Sequence, residues 1–376
     1  MDLKPLEALV ESETWPPGDA GAPAQCPAIP PHTLRADEVV AGRYRVLRFI
    51  AAGAMGEVYA AEDLTLREQV ALKLIRPEFA AQPDSVERFT RELLLARRVT
   101  HPGVCRVFDM DRRLHTGPDG SAREVTFITM ELLEGQTLRE HLLRHGRLAP
   151  GDVLLLAGQM AAALDAAHAA RVIHRDFKSG NVMLVPAPGM PGDMRAVVTD
   201  FGLARGEPRE GDVSISREGA LLGSPAYMSP EQVACQAVTP ASDIYSFGVV
   251  LFELLTGRLP FVAEGVLAAA VKRLHEPPPA PRTLVPELAP VWDEVLLRCL
   301  ARAPDERFAT ATEAVMALRG GAESSPARKR RALVPAGRWR RGRSQAARWR
   351  SAGWERPCSG SRPVGPSRWG HPCRRR

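Results

Sequence analysis

The hydrophobic pattern changes character once along the chain, near Gly135, and this change limits the folds available to it. Before it, short apolar runs at Arg43–Ile50, Glu57–Ala61 and Gln69–Ile75 are typical of antiparallel strands. After it, apolar residues recur at helical spacing in Leu- and Ala-rich stretches. The sequence therefore predicts an α+β fold of two lobes, a small antiparallel sheet with one helix and a larger helical lobe. A hinge near Glu131–Gly135 would leave a ligand-binding cleft between them.

One helix and two further strands complete the predicted first lobe. Helical spacing places the helix within residues 85–99, strands are predicted at Val104–Asp109 and Val125–Glu131, and a long hairpin loop at Asp111–Arg123. Five helices are predicted for the second lobe. They are Pro150–Ala170, Ala241–Thr256, Val266–Arg273, Ala289–Leu300 and Thr310–Leu318.

Composition separates both ends of the chain from the two lobes. Residues 1–42 are rich in Pro and Gly and have no hydrophobic period, which predicts a disordered leader. Residues 43–319 carry the folded domain, divided into lobes at 43–133 and 134–319. From residue 320 all periodicity stops, and Arg, Trp, Gly and Pro dominate, so residues 320–376 are predicted to be a disordered tail.

The positive charge of the chain belongs to this tail. The whole chain has a net charge of +6, but residues 321–376 hold 16 Lys and Arg against two acidic residues, which leaves −8 for residues 1–320. Net charge therefore gives no reason to expect nucleic acid as a partner. Three interpretations of the tail stay open: out-of-frame or remnant sequence, a disordered linker, or a segment that binds polyanions such as nucleic acid or an anionic membrane.

Cysteine usage and hydropathy favour a soluble, cytoplasmic protein. The six cysteines are scattered without a C-x-x-C pair, which suggests neither a zinc site nor a disulfide framework. The most apolar run, Ile244–Leu255, contains polar residues and is too short to span a bilayer. The N-terminus has no apolar signal core. We expect no membrane span.

Residues suited to chemistry fall into six short segments. These are Ile50–Val58, Val70–Lys73, His174–Asn181, Asp200–Gly202, Gly223–Glu231 and Asp243–Gly248. Small residues around Gly53 and Gly56 let backbone N–H groups approach a phosphate. Lys73 on a buried strand needs an anionic partner, for which Glu92 is the candidate. Each segment alone has an ordinary explanation, such as a hairpin turn or a solvated charge cluster, so the information lies in their order and spacing.

Taken together, these segments resemble the signature set of the eukaryotic-like (Hanks-type) Ser/Thr protein kinases of bacteria. The resemblance runs from about Tyr44 to Leu318. It implies the bilobal protein kinase fold and an enzyme that transfers the γ-phosphate of ATP to Ser/Thr hydroxyls of protein substrates, with Mg²⁺ or Mn²⁺. It also implies bacterial signalling with autophosphorylation of an activation loop, and leaves open whether the protein forms a homodimer.

The resemblance assigns catalytic roles residue by residue. Asp176 is the base that accepts the proton of the substrate hydroxyl, and Lys178 steadies the γ-phosphate. Lys73 holds the α- and β-phosphates. Asn181 and Asp200 are the implied metal ligands. Asp176, Lys178, Lys73 and Asn181 therefore form the catalytic set.

The implied nucleotide site draws on both lobes. Gly53 and Gly56 cover the phosphates, and Glu92 pairs with the strand lysine. Backbone groups of Glu131 and Leu133 meet the adenine edge, and apolar side chains sandwich the ring. The complete implied set is Ile50, Gly53, Gly56, Val58, Ala71, Lys73, Glu92, Glu131, Leu133, Met183 and Asp200.

Further positions carry supporting roles in the resemblance. Glu231 is implied to form a buried ion pair with Arg307, and Asp243 to orient the backbone of the catalytic loop. Lys178 together with Ser224 matches the Ser/Thr pattern.

Arg175 before the base marks kinases whose activation loop is steadied by phosphorylation. The hydroxyls available for it are those of Ser214, Ser216 and Ser224, and the sequence does not distinguish among them.

Ala51 departs from the family pattern, because it replaces the first glycine of the phosphate loop. If this position requires a positive φ, alanine costs about 1 kcal/mol and slows turnover. On that condition Ala51→Gly would raise kcat/KM for ATP a few fold. The same departure supports an alternative function, a nucleotide-binding pseudokinase scaffold. Since the catalytic set is intact, we expect an active kinase.

Overall fold

The computed structural model confirms the two-lobed α+β architecture. All described residues lie within one compact unit, residues 1–325. The described residues are 32–53, 56–76, 93, 96–116, 122–201, 225–263 and 266–324.

An antiparallel sheet forms the first lobe. Its strands are β1 (Val39–Val40), β2 (Tyr44–Gly53), β3 (Gly56–Asp63), β4 (Glu68–Ile75), β5 (Val107–Thr116) and β6 (Ala122–Glu131). They lie in the order β1-β2-β3-β4-β6-β5. Alternate residues of the central strands point to one face, where Tyr59, Leu72 and Phe127 are fully buried. The short apolar runs identified in the sequence therefore contribute to this core.

The sheet begins earlier in the chain than the sequence pattern indicated. Val39 pairs with Arg45, and the backbone N–H of Leu34 donates to the Tyr59 hydroxyl at 3.1 Å. Leu34 and Val40 are buried in the sheet core. Residues 32–42 were predicted to be part of the leader because Leu34, Val39 and Val40 are too few to show a hydrophobic period. Residues 1–31 lie outside the described residues.

Most of the described part of Asp111–Arg123, which was predicted to be a hairpin loop, is strand. β5 continues to Thr116 and β6 begins at Ala122, and Arg112 bonds to Glu124 across the two strands at 2.5 Å. The charged residues of β5 are largely exposed, so this strand lacks the apolar alternation that identifies a strand in a sequence.

Helices dominate the second lobe. They are α1 (Leu138–His145), α2 (Pro150–Ala169), α3 (Pro230–Val233), α4 (Pro240–Thr256), α5 (Val266–His275), α6 (Val291–Cys299) and α7 (Ala311–Ser324). The five predicted helices are present, while α1 and α3 were missed because both are short. None of the described helices is long and apolar enough to cross a bilayer.

Helix α7 passes through Gly320 and Gly321, where the sequence was expected to leave the fold. A Cβ atom on Gly321 would lie 2.3 Å from Cγ2 of Val291 in α6. The glycine is thus a close packing contact between two helices rather than a break. The rest of the predicted tail, residues 325–376, lies outside the described residues.

A small second sheet carries the cleft side of the helical lobe. Its antiparallel strands are β7 (Gln136–Thr137), β8 (Val182–Pro186) and β9 (Met194–Val198). The hairpin β8–β9 places Asn181, just before β8, close to Asp200, just after β9, because antiparallel strands bring their outer ends together.

Candidate active site

A buried carboxylate holds the segment His174–Asn181 in place. Asp243, in the first turn of α4, is 1% exposed and accepts the backbone N–H groups of His174 at 2.7 Å and Arg175 at 2.9 Å. The ring of His168 lies 2.7 Å from the same carboxylate. These contacts give Asp243 the orienting position that the resemblance implied.

Three members of the catalytic set converge at the start of β8. Lys178 Nζ lies 2.5 Å from Asp176 Oδ2, and Asn181 Nδ2 donates to the Asp176 carbonyl at 2.9 Å and to Oδ2 at 3.2 Å. The side chains of Asp176 and Lys178 are each about one-fifth exposed, at 20% and 21%. The carboxylate is therefore fixed by its neighbours yet open to the cleft.

Lys73 and Asp200 join the two lobes. Lys73 on β4 is buried, and its Nζ donates to Asp200 Oδ1 at 2.6 Å. Burial raises the pKa of Asp200, but the charge and hydrogen bond of Lys73 outweigh it, so the pKa lies below its ordinary value. Asp200 is therefore ionised at neutral pH. Glu92, the predicted partner of Lys73, lies outside the described residues.

The backbone of Asp200 adopts a strained conformation. Its φ is 62°, a left-handed conformation that costs a non-glycine residue about 1 kcal/mol. The neighbours compensate, because Phe201 is buried against the His174 ring at a centroid distance of 4.6 Å. The His174 ring also contacts the Thr199 carbonyl at 3.0 Å. Strain held in this way is typical of functional sites.

Apolar residues predicted to sandwich a purine ring meet in one cluster. Ala71 of β4 and Met183 of β8 belong to it, together with Val58 and Leu133. Each lobe contributes one wall, which is the arrangement required to enclose a flat ring. Ile50 is 38% exposed and is not part of this cluster.

Glu131 lies in the chain between Met130 and Leu132, which belong to this apolar cluster. Its backbone N–H donates to the Arg106 carbonyl at 2.9 Å, so its amide is already bonded within the protein. Its side chain contacts Arg195 at 3.4 Å and the Arg106 amide at 3.4 Å. The hinge strand is thus tied to both lobes.

Gly53 and Gly56 lie at the ends of β2 and β3 and pair with each other. Gly56 has φ 156°, and a Cβ atom there would lie 1.8 Å from the Leu74 carbonyl oxygen. No side chain fits at this position. Gly202–Ser224, with the three candidate phosphorylation sites, lies outside the described residues.

The structure removes the strain assigned to Ala51. This residue is in β2, paired with Val58, and is not among the described residues with positive φ. The condition for a backbone cost is therefore unmet, and the physical reason for expecting a gain from Ala51→Gly no longer holds.

We now expect Ala51→Gly to leave kcat/KM for ATP within about twofold of wild type, since no strain is relieved. Steady-state kinetics with varied ATP would check this. Gly56→Ala is the control that should lose most of its activity, because its methyl group meets the Leu74 backbone. A several-fold gain in Ala51→Gly would restore the strain argument.

The predicted pair of Glu231 and Arg307 is present and buried. Arg307 Nη1 and Nη2 each donate to the Glu231 carboxylate at 2.8 Å. Three backbone carbonyls accept further bonds from the same guanidinium, those of Ala241, Ala301 and Arg302. Ser242 donates to Glu231 at 2.6 Å. This network ties α3 to the start of α4 and to the turn before α7.

Tyr227 is a site residue that the sequence interpretation missed. Its hydroxyl contacts Ser179 Oγ of the catalytic loop at 2.9 Å and donates to Glu253 of α4 at 2.7 Å. Burial raises the pKa of Tyr227, and the negative charge of Glu253 adds to that rise. The only sequence signal was an aromatic residue within Gly223–Glu231.

Comparisons with known proteins identify the family of the chain. The protein kinase domain family model matches residues 44–317. Serine/threonine-protein kinase PknA of Mycobacterium tuberculosis (strain ATCC 25618 / H37Rv) is 34% identical over 337 residues, which cover 87% of this chain and 74% of that protein. PrkC of Bacillus subtilis (strain 168) is 34% identical over 274 residues, 73% of this chain and 40% of that protein.

Solved structures show the same fold. The crystal structure of the Mycobacterium tuberculosis PknI kinase domain matches with a TM-score of 0.58 and 29% identity, covering 77% of this chain and all of that one. The chain belongs to the protein kinase family. It is a serine/threonine protein kinase of the bacterial Hanks type, an enzyme that transfers phosphate to protein substrates. Kinases of this family use ATP and a divalent metal ion.

Proposed function

We propose that phosphate transfer in this kinase uses Asp176 as the base, Lys73 and Lys178 as the phosphate-binding cations, and Asn181 and Asp200 as the metal ligands. The observation that carries this proposal is the meeting of two groups across the cleft. Lys73 Nζ of the first lobe lies 2.6 Å from Asp200 Oδ1 of the second lobe. Asp176 and Lys178 lie just before β8, which pairs with β9, the strand that leads to Asp200.

The donor atoms suit a hard divalent cation. Asp200 supplies an ionised carboxylate, and Asn181 Nδ2 is held by Asp176, while Asn181 Oδ1 accepts no hydrogen bond from the residues that the structure describes. Carboxylate and amide oxygens are the ligands that Mg²⁺ and Mn²⁺ prefer. Such an ion would neutralise charge on the β- and γ-phosphate oxygens. We propose Mg²⁺ or Mn²⁺ as the metal.

The contacts of Asp176 support its proposed role as the base. The described contacts of its side chain all fall on Oδ2, from Lys178 and Asn181, so Oδ1 remains for the substrate hydroxyl. Two donors on one oxygen also fix the orientation of the carboxylate. Proton acceptance at a positioned carboxylate is the contribution expected of a general base.

We also propose that the kinase domain spans residues 32–324, wider at both ends than predicted, because β1 and α7 are integral to the two lobes.

The kinase is proposed to act in the cytoplasm, since Cys105, Cys235 and Cys299 are free thiols and suit a reducing compartment. A homodimer stays a prediction. The pseudokinase alternative loses its ground, because Ala51 carries no strain.

Autophosphorylation tests this proposal. We expect the full chain to incorporate phosphate from ATP when Mg²⁺ or Mn²⁺ is present, with phosphate mapped by mass spectrometry to Ser214, Ser216 or Ser224. Asp200→Asn should lose incorporation because the metal loses its charged ligand. Asp305→Asn, which changes an exposed carboxylate in the helical lobe, is the matched control and should behave as wild type. Equal incorporation in Asp200→Asn and wild type would contradict the proposal.

A further inference from the structure

Arg273 is a cation buried where no charge is expected. It is 1% exposed and is the largest fully buried side chain of the described residues. Its neighbours on α5, Lys272 and His275, are more exposed. Burying a guanidinium costs several kcal/mol unless its hydrogen bonds or charge are matched. The contacts of Arg273 should therefore show why the fold retains it.

The guanidinium of Arg273 is matched by two backbone carbonyls. Nη1 donates to the Pro225 carbonyl and Nη2 to the Ala226 carbonyl, each at 2.7 Å. Its cationic carbon lies over the rings of Tyr245 at 5.9 Å and Phe261 at 5.6 Å. The partners of Arg273 within the described chain are thus all uncharged. Its Nε has no hydrogen-bond partner there.

Arginine is the residue type suited to this contact. Its planar fork presents two N–H groups at fixed spacing, so it bonds two successive carbonyls at once. A lysine ammonium is a point donor without this geometry. Burial lowers the pKa of Arg273 below its ordinary value, yet an arginine side chain remains charged in a protein. Both carbonyls therefore receive charge-assisted hydrogen bonds.

The segment that Arg273 holds is next to the catalytic loop. Pro225–Tyr227 form a short 3-10 turn directly after Ser224. At the far end of the turn, the Tyr227 hydroxyl contacts Ser179 of the catalytic loop at 2.9 Å. Ser246 of α4 donates to the Tyr227 carbonyl at 2.8 Å. The turn is thus fixed on one side by the catalytic loop and on the other by Arg273.

None of these contacts reaches the nucleotide-binding residues. Arg273 and its carbonyl partners lie in the helical lobe, after Gly202–Ser224 in the chain. The turn instead contacts the loop that holds Asp176, because the Tyr227 hydroxyl lies 2.9 Å from Ser179 Oγ. Shortly after the turn, Gln232 Nε2 donates to the Arg175 carbonyl at 2.7 Å, next to Asp176 in the chain.

We propose that Arg273 is a positioning residue for the protein acceptor. It clamps the Pro225–Tyr227 turn so that the turn and Met228 after it form a fixed surface beside the loop of Asp176, where the acceptor hydroxyl lies if Asp176 is the base, as proposed above. Loss of the clamp weakens acceptor binding and leaves nucleotide binding intact, because preorganisation of a binding surface reduces the ordering cost of association.

Steady-state kinetics with separately varied ATP and dephosphorylated casein tests this proposal. Arg273→Met should raise the KM for casein at least about tenfold, while the KM for ATP and ATP hydrolysis without casein stay within about twofold of wild type. Arg273→Lys should rescue part of the loss, since one carbonyl can still be bonded. Lys272→Met is the matched control: it removes the adjacent cation, whose hydrogen bond within the described residues is to the Val262 carbonyl at 3.4 Å, and should leave all constants unchanged.

Two outcomes would overturn the proposal. An unchanged KM for casein in Arg273→Met would show that the turn needs no clamp. A parallel change in the KM for ATP and in ATP hydrolysis would place the effect at the nucleotide site. If Arg273→Met fails to fold, Arg273→Lys is measured alongside hydrogen exchange at the amides of residues 226–229. Faster exchange there with a raised casein KM supports the proposal, and failure of both variants to fold would assign Arg273 to stability alone.

Discussion

Asp176→Asn is expected to lower kcat about 10³-fold, the size of effect that a positioned general base contributes. Asparagine keeps the shape of the side chain and its contact with Asn181, but its amide does not accept a proton. It also removes the negative charge that lies 2.5 Å from Lys178 Nζ. The measurement is phosphate transfer to casein at saturating ATP, with nucleotide affinity measured separately by fluorescence titration.

Lys73→Met should reduce activity by a similar factor and weaken nucleotide binding as well. The substitution removes the cation proposed to bind the phosphates of ATP, and it removes the hydrogen bond that Lys73 donates to Asp200. Asp305→Asn serves again as the matched carboxylate control. Wild-type turnover in Asp176→Asn would refute the assignment of the base.

Arg307→Met is expected to destabilise the fold by about 3–5 kcal/mol, since it leaves the buried Glu231 carboxylate without its counter-charge. For a domain as large as this kinase domain, a loss of about 3–5 kcal/mol in the free energy of unfolding lowers Tm by roughly 10 °C. Three backbone carbonyls lose a donor at the same time. Thermal and denaturant unfolding of the full chain would measure the loss.

The control for this prediction is an exposed pair of the same chemistry. Arg147 and Glu287 also lie 2.8 Å apart, but their side chains are 48% and 63% exposed. Exposed pairs contribute little because water and salt screen them, so Arg147→Met should leave Tm unchanged. Equal Tm values for Arg307→Met and wild type would show that the buried network is dispensable.

The Glu231 pair also predicts a pH dependence. Burial raises the pKa of Glu231, but hydrogen bonds from Arg307 and Ser242 outweigh it, so the folded-state pKa is lower than the ordinary value. The unfolded chain then binds the proton first as the pH falls. The pair should stabilise the fold above the ordinary glutamate range, about pH 4.3, and lose this contribution as the pH falls through the folded-state pKa. Unfolding of wild type and Glu231→Gln should converge in acid.

Much of the fold was legible in the sequence because its signals are local. Strand β2 alternates in burial over its first residues, β4 is a continuous apolar run buried from Val70 to Ile75, and α2 and α4 are long apolar helices that begin with a proline. β1 was missed because two residues carry no period. Helix α1 was missed for a similar reason: its eight residues bury only Leu138 and His141.

The candidate site was predicted in residue type more fully than in contacts. The order of the motifs led to the predicted catalytic set. Asp176 and Asn181 lie within six residues of chain, so the contact between them is nearly local. The bond between Lys73 and Asp200 joins residues 127 positions apart and depends on how the lobes close. Arg273 gave no signal, because the sequence does not show that a cation at the end of an amphipathic helix turns inward.

The two edges of the large sheet are closed in different ways. At one edge, the two-residue strand β1 covers β2, and very short edge strands offer few free backbone groups. At the other edge, β5 presents the exposed charged residues Asp111, Arg112 and Arg113, which form ion pairs with near neighbours. Charges along an edge oppose the addition of another strand. Within the described residues, both edges of the sheet therefore carry features that oppose the addition of a further strand from a second copy.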